Sequence, residues 1–327
     1  MPAVRRRDGQ GSEGWRLGEQ GGTPRPAPGG SGWSGTGVRP GAPLSVLMPC
    51  RNAGPFLEEA LDSVLAEPEV LELLVADGGS SDGSLERLRQ RSGSDPRLRL
   101  VSDHDAGVAD ALNRAFSQAR GTVIGWLNAD DRYLPGAPSR ALAALAKHPE
   151  WLMVYGEGEH IDAHGSVLDR YPSRPAAVGL AGFRDYCFIC QPTVFWRRSL
   201  QVMLGPFNTS LRTCFDFDYW LRAFSACPER IGQISALQAQ TRRHDETISA
   251  TQLPRAVLEA TWLQARTFPE AGYHILQAYL DEISQVGQHE ELIAIAADLP
   301  FRAEQRETIE RLVRAALERI QPSGSRP

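Results

Sequence analysis

The sequence predicts an α/β protein built on a mostly parallel, Rossmann-like sheet with helices on both faces. Three observations carry the prediction. Four short runs, LSVLM (44–48), VLELLVA (70–76), RLRLVS (97–102) and Val123 to Leu127, have the length and composition of strands. Helix-periodic segments fill the three intervals between them, as crossovers between parallel strands require. Acidic or small polar residues follow three of the runs at their C-terminal ends, the edge on which open α/β sheets place their ligands.

Taken in order, residues 1–42 stand apart. They hold 12 of the 31 glycines and five prolines, with almost no aliphatic residues. Such a segment buries too little apolar surface to offset its ordering entropy, so it is expected to be a disordered tail. Six arginines face three acidic residues there, which suits weak tethering to an anionic surface. Gly9, Gly11 and Gly14 match G-x-G-x-x-G, but no strand precedes and no helix follows, so the match is an accident of glycine richness.

The strand at 44–48 ends at Pro49. Phe56, Leu57, Ala60, Leu61, Val64 and Leu65 then recur at helical spacing as far as Pro68. Strand two closes on Asp77-Gly78-Gly79, and Ser81 or Asp82 is expected to cap a helix through Arg91. Strand three leads to a helix from Val108 to Arg120, and strand four runs into Asn128, Ala129, Asp130 and Asp131. A helix (137–147), a strand (152–158) and a hairpin turn at Ala163-His164-Gly165 follow. Tyr171 to Arg184 reads as loop, PTVFW (192–196) as strand, and Asp216 to Phe224 as amphipathic helix. From Thr251 the pattern is helical to the end, broken at Pro269 and Pro300. These helices are expected to pack on the body or on a partner. The domains expected are therefore a 1–42 tail, a 43–250 α/β unit (43–134 and 135–250) and a 251–327 helical C-terminal extension.

Composition narrows the function. A net charge of −5 argues against a general nucleic-acid binder. No apolar run approaches the roughly 18 residues of a membrane span, and MPAVRRRDGQ lacks the apolar stretch of a signal peptide. Five cysteines without a secretory signal suit a reducing, cytoplasmic compartment. Cys187-x-x-Cys190 has no second pair, and its apolar neighbours favour buried thiols over zinc. Asp77, Ser102-Asp103 and Asn128–Asp131 converge on one sheet edge, where each alone would read as a turn and together they read as a binding cleft. Their carboxylates suit a divalent cation that would hold phosphate oxygens, since no phosphate loop of the G-x-x-x-x-G-K-[ST] kind occurs.

MPCRNAG (48–54), VADGGSSDGS (75–84), SDHDAGVADALNRAF (102–116) and IGWLNADD (124–131) resemble successive blocks of the family-two glycosyltransferases with the GT-A fold. CQPTVFWRRSL (190–200), LGPFNTSLRTCFDFDYWLR (204–222) and TRRHDETIS (241–249) resemble its acceptor-side blocks. The resemblance implies an inverting, metal-dependent transferase of polysaccharide or glycan synthesis. It would use a UDP- or GDP-linked sugar, a saccharide or lipid-linked acceptor, and Mn2+ or Mg2+, with peripheral membrane association compatible.

Carried over residue by residue, it puts Pro49, Arg51 and Asn52 beside the nucleotide, with Asn52 also suited to a helix cap. Asp77 falls at the nucleobase or serves a turn. Asp105 and Asp110 approach ribose or sugar hydroxyls, or mark a solvated helix start. The metal motif, usually D-x-D, is here Asn128-Ala129-Asp130, so Asp130 becomes the metal ligand, Asp131 a helper or structural group, and Asn128 a neutral contact. Asp216 takes the place of the catalytic base. Asp218 points about 200° away on a regular helix and is expected to be structural or to pair with Arg222. Phe215 replaces the acidic residue the family usually has before its base. His244 falls near the diphosphate or metal, although a lone His is more often an ordinary loop residue. Asn128 and Phe215 also leave open a catalytically inactive sugar-nucleotide-binding or scaffolding protein on the same fold.

Overall fold

The computed structural model describes residues 43–102, 106–268, 273–283 and 285–320. The 1–42 tail, Asp105 and Pro269 lie outside them. The first half is a strand–helix alternation: β1 (Leu44–Cys50), α1 (Leu57–Leu65), β2 (Val70–Asp77), α2 (Ser84–Ser94), β3 (Leu98–Ser102), α3 (Val108–Gln118) and β4 (Val123–Trp126). β1 pairs in parallel with β2 and β4, and β2 with β3. The chain thus steps outward from β1 to β3, then crosses back through α3 to the other side of β1. That reversal makes the β1/β4 junction the switch point of the sheet, where the loops leaving the two strands part and open a crevice.

The second half continues with β5 (Arg132–Tyr133), α4 (Ala137–Lys147), β6 (Met153–Ile161), β7 (Val167–Arg170), β8 (Phe195–Arg197), α5 (Arg198–Leu204), α6 (Phe215–Ala226) and β9 (Ile231–Arg242). The sheet order is β3-β2-β1-β4-β8-β6-β9-β5, with β7 as hairpin partner of β6. β8 lies antiparallel to β4 and β6, β9 parallel to β6, and β5 antiparallel to β9. A parallel half is thereby extended by a mixed one. Gly125 on β4 is required by close approach, because a Cβ there would sit 2.8 Å from the Tyr133 hydroxyl and 3.2 Å from the Phe195 ring.

Strand residues alternate between two cores. Leu47, Leu74, Ile124 and Trp126 face the side carrying α3, α5 and α6. Val46, Met48, Leu73, Val75 and Val123 face the side carrying α1 and α4. Burial on both faces is why these strands read as near-continuous apolar runs. The chain then forms α7 (Ile248–Thr251), α8 (Leu253–Thr267), α9 (His274–Glu282), α10 (Val286–Asp298) and α11 (Ala303–Ile320). α8 belongs to two cores at once: Ala256, Ala260 and Leu263 pack into the main body, while Val257 and Leu258 join α9–α11.

Several elements differ from the sequence expectation. The strand expected at 192–196 begins at Phe195, because Pro192 has no N–H to give a ladder and starts a 3-10 turn over Gln191–Thr193. α5, β5 and the twelve-residue β9 were not anticipated. α2 starts from Gly83 in the left-handed region (φ 89°), with Asp82 accepting from the Ser84 N–H at 2.9 Å just before it.

Candidate active site

Pro49 fits inside a central strand for a geometric reason. The Leu47 carbonyl accepts from the Leu127 N–H at 3.1 Å, so Leu47 faces β4. Pro49, two residues on, faces the same side past the last β4 pairing, and its missing N–H costs no ladder bond. Arg51 and Asn52 follow on the surface. Asn52 takes φ 52° and is the non-glycine residue with positive φ among the described residues. Its N–H donates to Ser80 Oγ at 2.9 Å, and its Oδ1 accepts from the Ser81 N–H at 2.8 Å. The Gly54 N–H donates to Asp82 Oδ2 at 2.8 Å. Asn52 is therefore a latch between the loops after β1 and β2. It does not cap α1, which has no side-chain cap.

Asp77 is fully buried at the end of β2 and accepts from the Gly79 and Ser80 N–H groups and the Ser80 hydroxyl. Its carboxylate shapes the turn at the crevice floor. Asp110 sits in the first turn of α3, where its Oδ2 accepts from the Ala106 N–H at 3.1 Å and from Arg114 Nε at 2.8 Å. Asp110 thus serves the helix start, reaching back as in a capping box.

The loop 127–131 leaves β4 at the switch point and carries three polar side chains into different surroundings. Asn128 Oδ1 accepts from Trp126 Nε1 at 2.8 Å, and its Nδ2 donates to Asp131 Oδ2 and Gln191 Oε1, both at 3.2 Å. Gln191 Nε2 in turn donates to the Trp126 carbonyl at 2.8 Å. A carboxylate at 128 would have no donors for these two acceptors, so the amide is matched to its place. Asp131 is buried and turned toward β9, with Oδ1 accepting from the Arg242 N–H at 2.8 Å. Burial, and secondarily the Asp130 charge, push its carboxyl well above the usual carboxylate range, against bonds from Arg242, Thr241 and Asn128. Asp131 thus anchors the loop to β9, and of the two carboxylates expected at a cation, Asp130 is the one open to the crevice.

Asp130 meets His244. β5 pairs with the end of β9, so the chain leaving β9 passes over the 127–131 loop. His244 Nε2 lies 3.2 Å from Asp130 Oδ2, its ring 4.8 Å from Phe56. Arg242, 4% exposed, holds this corner: its Nε donates to the Asp130 carbonyl at 2.9 Å and its Nη1 to the Asp162 carbonyl at 3.1 Å. Its Nη2 pairs with Glu59, and its guanidinium lies over the Phe56 ring. Among the described residues no group of three His, Cys, Asp or Glu is arranged to hold a metal. One carboxylate and one imidazole facing an open crevice do fit a cation whose other positions go to substrate phosphates and water.

Trp126 joins this loop to α6. Its ring stacks on Phe215 (5.5 Å between centroids, 23°), and its N–H holds Asn128. A contact of this kind contributes about 0.5–1.5 kcal/mol beyond buried area. The next residue, Asp216, lies partly buried in the first turn of α6 and accepts from the Phe217 N–H at 2.7 Å. Among the described residues no side chain donates to it. Burial raises its pKa above the ordinary aspartate value, and nearby Glu259 adds to the rise. Asp218 faces away, pairing with Arg222 Nε at 2.9 Å and Arg266 Nη2 at 2.8 Å. All five cysteines are free and buried, and burial pushes Cys187 up to about 12.

The structure thus brings together Asn128, Asp130, Asp131 and His244, and Trp126 ties them to Asp216. Asn52 and Asp77 lie on the neighbouring loops after β1 and β2. Sequence reasoning missed Gln191 and Arg242, which reach the loop from 63 and 112 residues away. No spacing rule connects them to it.

Residues 45–191 match the family model for glycosyl transferase family 2. The chain is 32% identical over 126 residues to a chondroitin synthase of Pasteurella multocida, a match covering 38% of this chain and only 13% of that protein. It is 32% identical over 190 residues to a PGL/p-HBAD biosynthesis glycosyltransferase of Mycobacterium bovis, covering 56% of this chain and 71% of that one. Among solved structures, S. aureus TarS 1–349 in complex with UDP-GlcNAc superposes with a TM-score of 0.55 at 15% identity, covering 85% of this chain and 88% of that one.

Proposed function

Because the chain belongs to glycosyl transferase family 2, we propose that it transfers a sugar from a nucleotide-sugar donor to an acceptor hydroxyl with inversion at the anomeric carbon. The observation that carries the reading is the Trp126 bridge, which links the start of α6, where the partly buried, raised-pKa Asp216 stands, to the loop bearing Asp130, against which His244 lies. Asp216 takes the proton of the acceptor hydroxyl as its oxygen attacks the anomeric carbon and the bond to the diphosphate oxygen breaks. The raised pKa makes Asp216 a stronger base than an ordinary aspartate. Asp130 and His244 would hold a divalent cation, whose chemistry when bound is to neutralise charge on the departing diphosphate. Asn52, Asp77 and Arg51 frame the nucleotide side of the crevice.

The relative crystallised with UDP-GlcNAc makes a UDP-linked sugar the first donor to test, with GDP-linked sugars next. The relatives named for chondroitin synthesis and for PGL/p-HBAD biosynthesis favour a saccharide or lipid-linked acceptor. No helix among the described residues is long and apolar enough to cross a membrane. Asn128 and Phe215, the two departures from the family pattern, both pack against Trp126, and this accommodation favours an active enzyme over an inactive binding protein.

The test is thermal unfolding with a panel of UDP- and GDP-sugars, with and without MnCl2. One donor class should raise the melting temperature more with Mn2+ present, since a ligand at 100 times its Kd adds about 2.7 kcal/mol. No stabilisation and no nucleoside diphosphate release with any donor would defeat the proposal.

A further inference from the structure

α6 begins without a side-chain cap of its own: Cys214 stands at its N-cap, and no side-chain bond from it closes the turn. The turn is closed from α8 instead. Glu259, 0% exposed, accepts from the Arg212 N–H at 3.0 Å, the Thr213 N–H at 2.9 Å, the Thr213 hydroxyl at 2.7 Å and the Cys214 N–H at 3.0 Å. Three successive backbone N–H groups around one carboxylate form a fixed anion seat. A buried carboxylate is stable there because its lone pairs are satisfied and Arg255 lies 3.7 Å away. A second bond, from Cys214 Sγ to the Ala256 carbonyl at 3.3 Å, joins the same turn to the same helix.

We propose that Glu259 is the positioning residue of the base: from α8, outside the region matched by the family model, it fixes the Arg212–Cys214 turn and so sets the place of Asp216. The proposal rests on Asp216 acting as the base. Asp216 follows the turn by two residues and has no side-chain donor among the described residues, so its position is set by the backbone of that turn. A misplacement of about 1 Å is enough to cost on the order of 100-fold in rate.

Glu259 also acts on Asp216 through charge. Among the described residues, the titratable side chains within electrostatic reach of Asp216 are Tyr171 and Cys187 from the segment after β7, Cys214 on its own turn, and Glu259 from α8. Burial raises the pKa of the first three, which leaves them neutral near pH 7, so among the described residues Glu259 is the charge that raises the Asp216 pKa. Removing that charge lowers the Asp216 pKa, and the acid limb of transfer moves to lower pH.

The experiment uses the full chain labelled with 13C at the aspartate carboxyls, the Asp216 signal being assigned with Asp216→Asn. Nucleoside diphosphate release is followed from UDP-GlcNAc, UDP-glucose and GDP-mannose. Glu259→Gln should lower the Asp216 titration midpoint and cut kcat roughly 10- to 100-fold, with donor KM near the parent value. Glu259→Asp keeps the charge and shortens the reach, so kcat should fall while the midpoint stays near that of the parent. A folded Glu259→Gln variant with parental midpoint and kcat overturns the proposal. If that variant does not fold, parental kcat in Glu259→Asp overturns it. Transfer surviving in Asp216→Asn would remove the base assignment itself, whereas an inactive Asp216→Asn beside a parent-like Glu259→Gln removes only the role of Glu259.

Discussion

Changing Asn128 to Asp would restore the acidic residue usual in the metal motif, yet the structure predicts that Asn128→Asp destabilises the protein. The amide Nδ2 donates to Asp131 Oδ2 and Gln191 Oε1, both at 3.2 Å. The substitution turns both contacts into oxygen facing oxygen and loses two bonds, each contributing about 1 kcal/mol. Burial already holds the Asp131 carboxyl well above the usual carboxylate range, so near neutral pH the new carboxylate does not meet a second full charge there. The net loss is then about 2 kcal/mol, or a melting temperature lower by a few degrees. Protonating the new carboxyl restores a donor toward Gln191 Oε1, so the loss is present at neutral pH and fades as pH falls through the ordinary carboxylate range. Mn2+ should narrow the gap. Calorimetry at pH 7 and pH 4.5, with and without MnCl2, measures all of this. A variant as stable as the parent at pH 7 without metal would contradict this.

Three further outcomes follow from the same geometry. Trp126→Phe keeps the stack on Phe215 and removes the N–H to Asn128, so stability should fall by about 1 kcal/mol by urea unfolding while kcat falls more than donor KM rises. Asp130→Ala should weaken Mn2+-dependent UDP binding about 10-fold by calorimetric titration, leaving metal-free binding nearly unchanged; equal affinity with and without Mn2+ in the parent would count against the cation site. The raised pKa of Asp216 places the acid limb of transfer above the ordinary aspartate range, with activity lost as pH falls through it. A limb near pH 4 in the pH–rate profile would contradict that.

The parallel half of the fold was legible because its strands are buried on both faces and declare themselves as apolar runs. β9 was not, since IGQISALQAQTR has few branched or aromatic residues and its pairing with β6 and β5 is visible only in three dimensions. That omission hid the means by which His244 reaches Asp130, which the chain's resemblance to a family supplied and spacing could not. Asn128 and Phe215 looked like separate departures from a pattern. Their common neighbour, Trp126, is two residues from one and 89 from the other, so only packing joins them. Glu259 was hidden for the same reason: it reaches Thr213 across 46 residues.

Asp216 is proposed as the base of a transfer whose donor is held elsewhere, where His244 meets Asp130. This role is tested most directly by measuring donor affinity and transfer rate in Asp216→Asn side by side. If Asp216 is the base, nucleotide-sugar affinity stays close to that of the parent and the transfer rate falls by at least about 100-fold. Parental turnover in Asp216→Asn, or affinity and turnover lost together in a folded variant, would contradict it.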